Sequence, residues 1–272
     1  MKRLLIFFMA VIPMLTFAHP LQDVRVVALD SQQSISVKNY AQGKPLYIEM
    51  WATWCSPCMK QMPALQKHYR EFGEDIAFLA VNIDLNDDAE AIQKVVDKFG
   101  LTVPMAQDTE NSLATTMQLN GTPLHLVFNR KGDLVYRTHE TDEQLETVLT
   151  QLKQGVELAA IAPTQTKAYD YQFDTDIVLF SAIWCETYWA TRNPKAAQEC
   201  QQARMQVNGM LRQGKSVTVV VSNLWTSEQD ATAYKGEFAD EVTMVIDENG
   251  KLFKRHGIKS IPRILTLDSE LR

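Results

Sequence analysis

The sequence predicts an α/β protein built as two successive units, each a mixed central sheet flanked by helices. Three observations predict it. Short runs of apolar, β-branched and aromatic residues alternate with stretches of helical spacing. A Trp-Cys pair follows such a run twice, at Trp54-Cys55 and Trp184-Cys185. Residues 103–132 also slide onto 242–271 without a gap, aligning Val103 with Val242, Met105 with Met244, Asp108 with Asp247, Leu113 with Leu252, Pro123 with Pro262 and Leu126 with Leu265. The two Trp-Cys pairs precede the aligned segments by similar intervals, so the pattern reads as an internal duplication.

The elements follow in order. Residues 24–29 and 34–37 read as strands around a Ser-Gln-Gln turn, and 45–51 as a buried strand rich in aromatic and β-branched residues. Met62, Leu65, Tyr69 and Phe72 give 59–72 helical spacing, with Pro63 expected to kink it. Residues 76–83 form the next buried strand. Residues 87–99 form an amphipathic helix closed by Gly100. A short helical stretch at 111–118 precedes strands at 123–129 and 134–138, which flank Arg130-Lys-Gly-Asp133 as a hairpin, and 143–154 closes the unit as a helix. Residues 155–172 lack periodicity and read as a linker. The order then restarts with a strand at 176–182, a helix at about 194–212 and a strand at 217–222. The expected organisation is therefore a signal peptide (1–18), a first unit (19–154), the linker and a second, shortened unit (173–272).

The first residues bear on compartment. Lys2 and Arg3 precede an apolar run from Leu4 to Phe17, and Thr16-Phe17-Ala18 supplies small residues for cleavage, the layout of a secretory signal peptide. The run is too short for a membrane anchor, and no cysteine follows Ala18 to carry a lipid. A soluble, exported chain is expected, without stable membrane insertion once the signal is cleaved. Of the 272 residues, removal of 18 leaves 254, and loss of Lys2 and Arg3 moves the net charge from −6 to −8. So acidic a chain is poorly suited to nucleic acid or an anionic membrane surface.

The four cysteines stand at Cys55, Cys58, Cys185 and Cys200. Cys55 and Cys58 lie at a strand-to-helix junction, where unpaired N–H groups and the helix dipole favour a thiolate and lower the thiol pKa from about 8.5 toward about 3.5–7.5. Cys55, expected to stay exposed there, is the attacking sulfur and Cys58 the resolving one. Pro57 falls in the first helical turn, where a missing N–H is tolerated. Glu49, inside an apolar strand, should have a raised pKa and exchange a proton with Cys58. Structural zinc needs four ligands, and the five histidines show no ligand spacing; neither metal nor organic cofactor is expected, the redox-active pair itself being the only reactive group. A static disulfide does not suit this spacing after Trp, and a peroxidase would embed a single cysteine differently.

Trp54-Cys-Ser-Pro-Cys58 with Pro63, Gly43-Lys-Pro-Leu and Glu-Met-Trp-Ala-Thr before it, and Gly121-Thr-Pro123 before an apolar strand together resemble the thioredoxin superfamily, in its exported TlpA/ResA/DsbE-like branch. The resemblance covers about residues 24–152 well and 173–272 faintly. It implies a thioredoxin fold, a cis peptide before Pro123 facing the cysteines, Trp54 as a flanking platform and a redox-tuning contact from Thr122. It also implies dithiol–disulfide exchange with exported client proteins, in the reducing direction, with a close variant that runs backwards as an oxidant; since no flavin or nicotinamide motif is visible, the electrons are expected from a membrane thiol donor. Where many ResA-like proteins have a glutamate three residues after the second cysteine, this chain has Gln61, which leaves proton management to Glu49.

In the second unit Cys185 is expected at a helix start, Thr187-Tyr188 replace Pro-Cys, Leu179 takes the place of Glu49 and Ile261-Pro262 resembles the cis-proline step. Cys185 and Cys200 stay open between a structural disulfide, a second redox pair and two free thiols. With one strand after Pro262, this unit reads as a docking or scaffolding module. An alternative reading of the whole chain is a thiol-based holder of copper or of an apo-metalloprotein. His19 as a copper chelator and Met50, Met59, Met62 and Met117 as soft ligands are read as tail and core, and Asp84–Glu90 as a solvated helix start.

Overall fold

The computed structural model describes residues 21–162, 171–248 and 250–267. The expected signal peptide and cleavage point, His19 and the chain after Leu267 lie outside the described residues.

The first unit runs β1 (Arg25–Ala28), β2 (Ser34–Ser36), α1 (Val37–Tyr40), β3 (Leu46–Trp51), α2 (Ser56–Phe72), β4 (Ala77–Asn82), α3 (Ala89–Phe99), β5 (Met105–Gln107), α4 (Ser112–Thr116), β6 (Leu124–Phe128), β7 (Leu134–Thr138) and α5 (Glu143–Lys153). Its seven strands are ordered β2-β1-β5-β4-β3-β6-β7. Central β3 pairs parallel with β4 and antiparallel with β6. All six residues of β3 are buried, as befits a central strand with helices on both faces. Helix α2 runs unbroken over Pro63. The proline removes only the bond to the Met59 carbonyl, and buried Met62 and Leu65 hold the helix down on either side. Asp88 caps α3 by accepting the Ala91 N–H, and Gly100 ends it in the left-handed region at φ 60°.

The second unit runs β8 (Ile177–Ser181), α6 (Pro194–Leu211), β9 (Val217–Ser222), α7 (Glu228–Lys235), β10 (Thr243–Asp247), α8 (Lys251–Arg255) and β11 (Arg263–Thr266). Its order, β10-β9-β8-β11 with only β11 antiparallel, repeats β5-β4-β3-β6. The gapless slide is matched in backbone detail. Asn111 and Gly250 both precede their short helix with positive φ, Gln118 and Gly257 both follow it so, and Thr122-Pro123 and Ile261-Pro262 are both cis. Asp108 accepts the Ala114 N–H at 2.8 Å, and Asp247 accepts the Phe253 N–H at 2.9 Å.

One expectation fails here. Cys185 does not start a helix: it lies in a run of turns, and α6 begins at Pro194, capped by Asn193. Pro194 is favoured in a first turn and the Asn193 side chain accepts the Ala196 N–H, so the start signal lies after the 186–192 stretch rather than before it. Part of the expected linker is held against the first unit, where the Ile161 N–H donates to the Leu134 carbonyl at 2.8 Å. Tyr171 and Phe173 already pack in the second unit, Phe173 against Phe180.

The core is continuous between units. One buried cluster runs from β3 and α2 through Trp54 and Trp189 to Phe180 and Phe253. A second lies on the other face of β8, around Ile177, Leu179 and Val219. Alternation along β8 divides its side chains between the two.

Candidate active site

Cys55 and Cys58 form a disulfide at the start of α2. Cys55 is the helix N-cap, and its sulfur accepts the Cys58 N–H at 3.1 Å, so an unpaired amide of the first turn already points at the sulfur that would carry negative charge. Pro57 occupies the first turn and removes no helical bond. The loop leading in is held by Asp87, whose carboxylate accepts from the Thr53 N–H and hydroxyl at 2.9 and 2.6 Å and from Asn82 at 2.7 Å. Asp84 is buried beside it, one carboxyl oxygen without a partner, and burial with the nearby Asp87 charge holds its carboxyl well above the usual range. The Asp84–Glu90 run is thus not a simple solvated face. Asp87 braces the cysteine loop and Asp84 faces an inter-unit cavity. Only spacing was visible in the sequence, and it cannot show a loop folding over two acids.

Glu49 is wholly buried, and burial raises its pKa to about 8 against the opposing effect of the neighbouring Tyr47 hydroxyl. The register of β3 and β6 places His125 directly across from it. Burial and the neighbouring histidines lower the His125 pKa to about 3, so the 3.7 Å approach of these side chains is a contact of neutral groups rather than an ion pair. Polar contacts continue outward. The Tyr47 hydroxyl lies 3.4 Å from Glu49 Oε2 and 2.6 Å from His125 Nδ1, and His125 Nε2 lies 2.7 Å from Gln61 Oε1. With Tyr47 donating to Nδ1, the histidine donates from Nε2. Gln61 Nε2 donates to the His139 carbonyl at 3.1 Å, and His139 Nδ1 donates to the Pro123 carbonyl at 2.6 Å. Gln61 sits one turn after Cys58 on α2. Tyr47 and His125 were missed in the sequence; their only signal was that both lie in buried strands that also carry the acid or the cis-proline. Thr122 is buried with its hydroxyl unpartnered, next to cis-Pro123.

The expected exposure of Cys55 is wrong: both sulfur-bearing residues have 0% of their surface exposed, and Trp54 has 5%. The second unit packs against the residues that flank them, Trp54 and Ser56. Trp54 packs against Trp184, Trp225, Tyr188 and Trp189 with ring centroids 4.8, 5.1, 5.7 and 6.1 Å away. The Tyr188 hydroxyl donates to the Trp54 carbonyl at 3.1 Å and accepts the Ser56 N–H at 3.4 Å. Tyr188, which replaces the second cysteine of the motif, thus plugs the intact motif of the first unit.

The remaining contacts are reciprocal. The Trp225 N–H and Asn223 Nδ2 donate to the carbonyls of Asn120 and Leu119 beside the first cis-proline. Asn86 donates to the Ile261 carbonyl and accepts its N–H at the second. Gly121 packs closely at this junction: a Cβ there would lie 3.1 Å from the Trp225 indole nitrogen, so the indole would have to shift by a few tenths of an ångström to admit one.

Cys185 and Cys200 form a second buried disulfide, so the two are not free thiols. Ser181 Oγ lies 3.5 Å from the Cys185 sulfur. Among the described residues no group of three or more His, Cys, Asp or Glu is arranged to hold a metal ion, and no helix is long and apolar enough to cross a membrane.

Comparison with known proteins finds relatives of the first unit. Residues 18–137 match the AhpC/TSA family. The chain is 28% identical over 137 residues to the thiol-disulfide oxidoreductase ResA of Halalkalibacterium halodurans, covering 48% of this chain and 76% of that protein. It is 30% identical over 93 residues to the thioredoxin-like protein YneN of Bacillus subtilis, covering 34% of this chain and 54% of that one. A solved structure of a secreted Mycobacterium tuberculosis disulfide oxidoreductase homologous to E. coli DsbE aligns over 52% of this chain and 100% of its own, with 18% identity and a TM-score of 0.42.

Proposed function

Starting from a first unit that belongs to the AhpC/TSA family of thioredoxin-like proteins, we propose that the chain is a thiol–disulfide oxidoreductase that reduces disulfides of exported clients. The observation that carries this reading is the Cys55–Cys58 disulfide at the head of α2, with the Cys58 amide already bonded to the Cys55 sulfur. In the reduced protein the Cys55 thiolate attacks one sulfur of a client disulfide, that bond breaks, and the other client sulfur leaves as a thiolate that takes up a proton. Cys58 then loses its proton, attacks the Cys55 sulfur and releases the second client thiol. Two electrons have passed to the client, and the protein is left oxidised. A membrane dithiol donor returns it to the reduced form by the reverse exchange.

Glu49 is the acid–base group of this cycle. A carboxyl with a pKa of about 8 gives and takes a proton near neutral pH, and Tyr47, His125 and Gln61 connect it to the face of α2 that carries Cys58. Trp54 and Pro57 shape the approach to Cys55, while Thr122 and Pro123 border it. The basic and apolar leader supports export, and the reducing direction is what the resemblance of the Trp54–Cys58 and Gly121–Pro123 motifs to the TlpA/ResA/DsbE-like branch implies.

The test is a Cys58→Ala variant expressed in the native compartment. It should accumulate covalent mixed disulfides through Cys55 that dithiothreitol releases. A reduction potential near about −270 mV or below would agree with a reductase, whereas about −120 mV would make it an oxidant. If no mixed disulfides form and the cysteine pair fails to cycle, exchange chemistry is excluded.

A further inference from the structure

We infer that the second unit is a tethered competitor for the client surface of the first, and that exchange at Cys55 proceeds only from a conformer in which this unit has left residues 54–56 and 119–121. The inference rests on the exchange chemistry proposed above. Thiol–disulfide exchange requires direct access of the incoming sulfur to the sulfur it attacks, and Cys55 and Cys58 have no exposed surface. No client cystine reaches them while Tyr188 bridges Trp54 and Ser56 and four rings of the second unit enclose Trp54.

What the second unit satisfies identifies the partner that displaces it. It supplies a backbone N–H to the Asn120 carbonyl, a side-chain N–H to the Leu119 carbonyl, a hydroxyl to Trp54 and Ser56, and aromatic surface to Trp54 and Gly121. An extended, cystine-bearing polypeptide segment with an apolar or aromatic side chain near its cysteine offers backbone N–H and C=O groups and apolar surface that can take over these contacts. Such a segment fits the strip, because buried backbone groups need a replacement partner when the occupant leaves. A pocket of about 80 Å3, partly open to solvent, also lies between the units, lined by Trp54, Asp84, Leu85, Trp184, Leu224 and Ile261.

The experiment follows reduction of Cys55–Cys58 in the full-length oxidised chain by increasing dithiothreitol. Each molecule of the reagent gives two electrons and two protons and becomes a cyclic disulfide. Samples are quenched with iodoacetamide, and peptide masses separate this pair from Cys185 and Cys200. The wild-type rate should rise with reductant and then level off at the opening rate. In the linear range Trp225→Ala should raise it by about 30-fold, the effect of removing a central interface tryptophan. Tyr188→Phe should raise it by about 5-fold, the effect of one hydrogen bond. Asn86→Ala, on the opposite edge of the junction, should also raise it and guards against misfolding of any one variant.

Equal rates in all four proteins, or a wild-type rate equal to that of a free Trp-Cys-Ser-Pro-Cys peptide disulfide, would overturn the inference. If the pair cycles normally in glutathione buffer while the rates are equal, only the competitor role falls. If the pair does not cycle in any variant, the exchange chemistry falls with it.

Discussion

Replacing Glu49 by Gln isolates what burying a carboxyl does to this protein. In the folded chain the Glu49 pKa is about 8, against 4.5 for the unburied group. Between those values the folded state holds a proton that the unfolded state has released. Stability contributed by this proton is fully present below about pH 4.5 and is lost as pH rises through about 8. The steepest loss is ~1.4 kcal/mol per pH unit, and the whole window corresponds to a ceiling of about 5 kcal/mol, since one pKa unit is about 1.36 kcal/mol. Gln carries no titrating proton and has nearly the shape of the neutral acid. The two proteins should therefore unfold at similar guanidinium concentrations at pH 4.5, and the variant should be the more stable by several kcal/mol at pH 9. The assay is equilibrium unfolding of the oxidised proteins in half-unit steps, so that cysteine titration does not intervene. A stability difference that stays flat between pH 5 and pH 9 would refute a buried, protonated Glu49.

Other expectations follow from the same contacts. His125 is held neutral down to about pH 3, so its contribution to stability is present above its unfolded value near 6.5 and is lost as pH falls toward 3; His125→Gln should flatten the acid limb of the unfolding profile. Tyr47→Phe leaves the His125 Nδ1 buried without its 2.6 Å partner and should cost about 1–3 kcal/mol, measured by urea unfolding at pH 7. Asp87→Ala frees the Thr53 amide and hydroxyl, and should destabilise the chain by about 2 kcal/mol and speed amide exchange at Thr53. Cys185→Ala/Cys200→Ala removes a crosslink spanning 15 residues and should lower stability by about 3 kcal/mol in thermal unfolding, with the Cys55–Cys58 pair still able to form.

Local pattern was readable wherever local chemistry decides conformation. The apolar run at 45–51 became central β3, Asp88 and Gly100 bounded α3, and the gapless alignment of 103–132 with 242–271 found positions that share positive φ and a cis-proline. The pattern failed where a partner distant in sequence decides. Glu49 was visible as an acid in an apolar strand, but Tyr47 and His125 became its partners only through the pairing of β3 with β6, 78 residues apart in the case of the Tyr47–His125 bond. Asp87 looked solvated because its contact with Thr53 spans 34 residues. Cys185 looked like a helix start because Trp-Cys was read as in the first unit, although Asn193-Pro194 supplied the stronger cap.

The sequence by itself determined the Cys55–Cys58 pair, its helix-start setting and the repeated strand order, because each depends on residue types at short fixed spacing. Only the tertiary structure decided that the second unit lies against the first, with Tyr188 and three tryptophans packed around Trp54 next to the disulfide. Burial and accessibility are properties of surfaces brought together from remote parts of the chain. No periodicity within either unit records which face the other will cover.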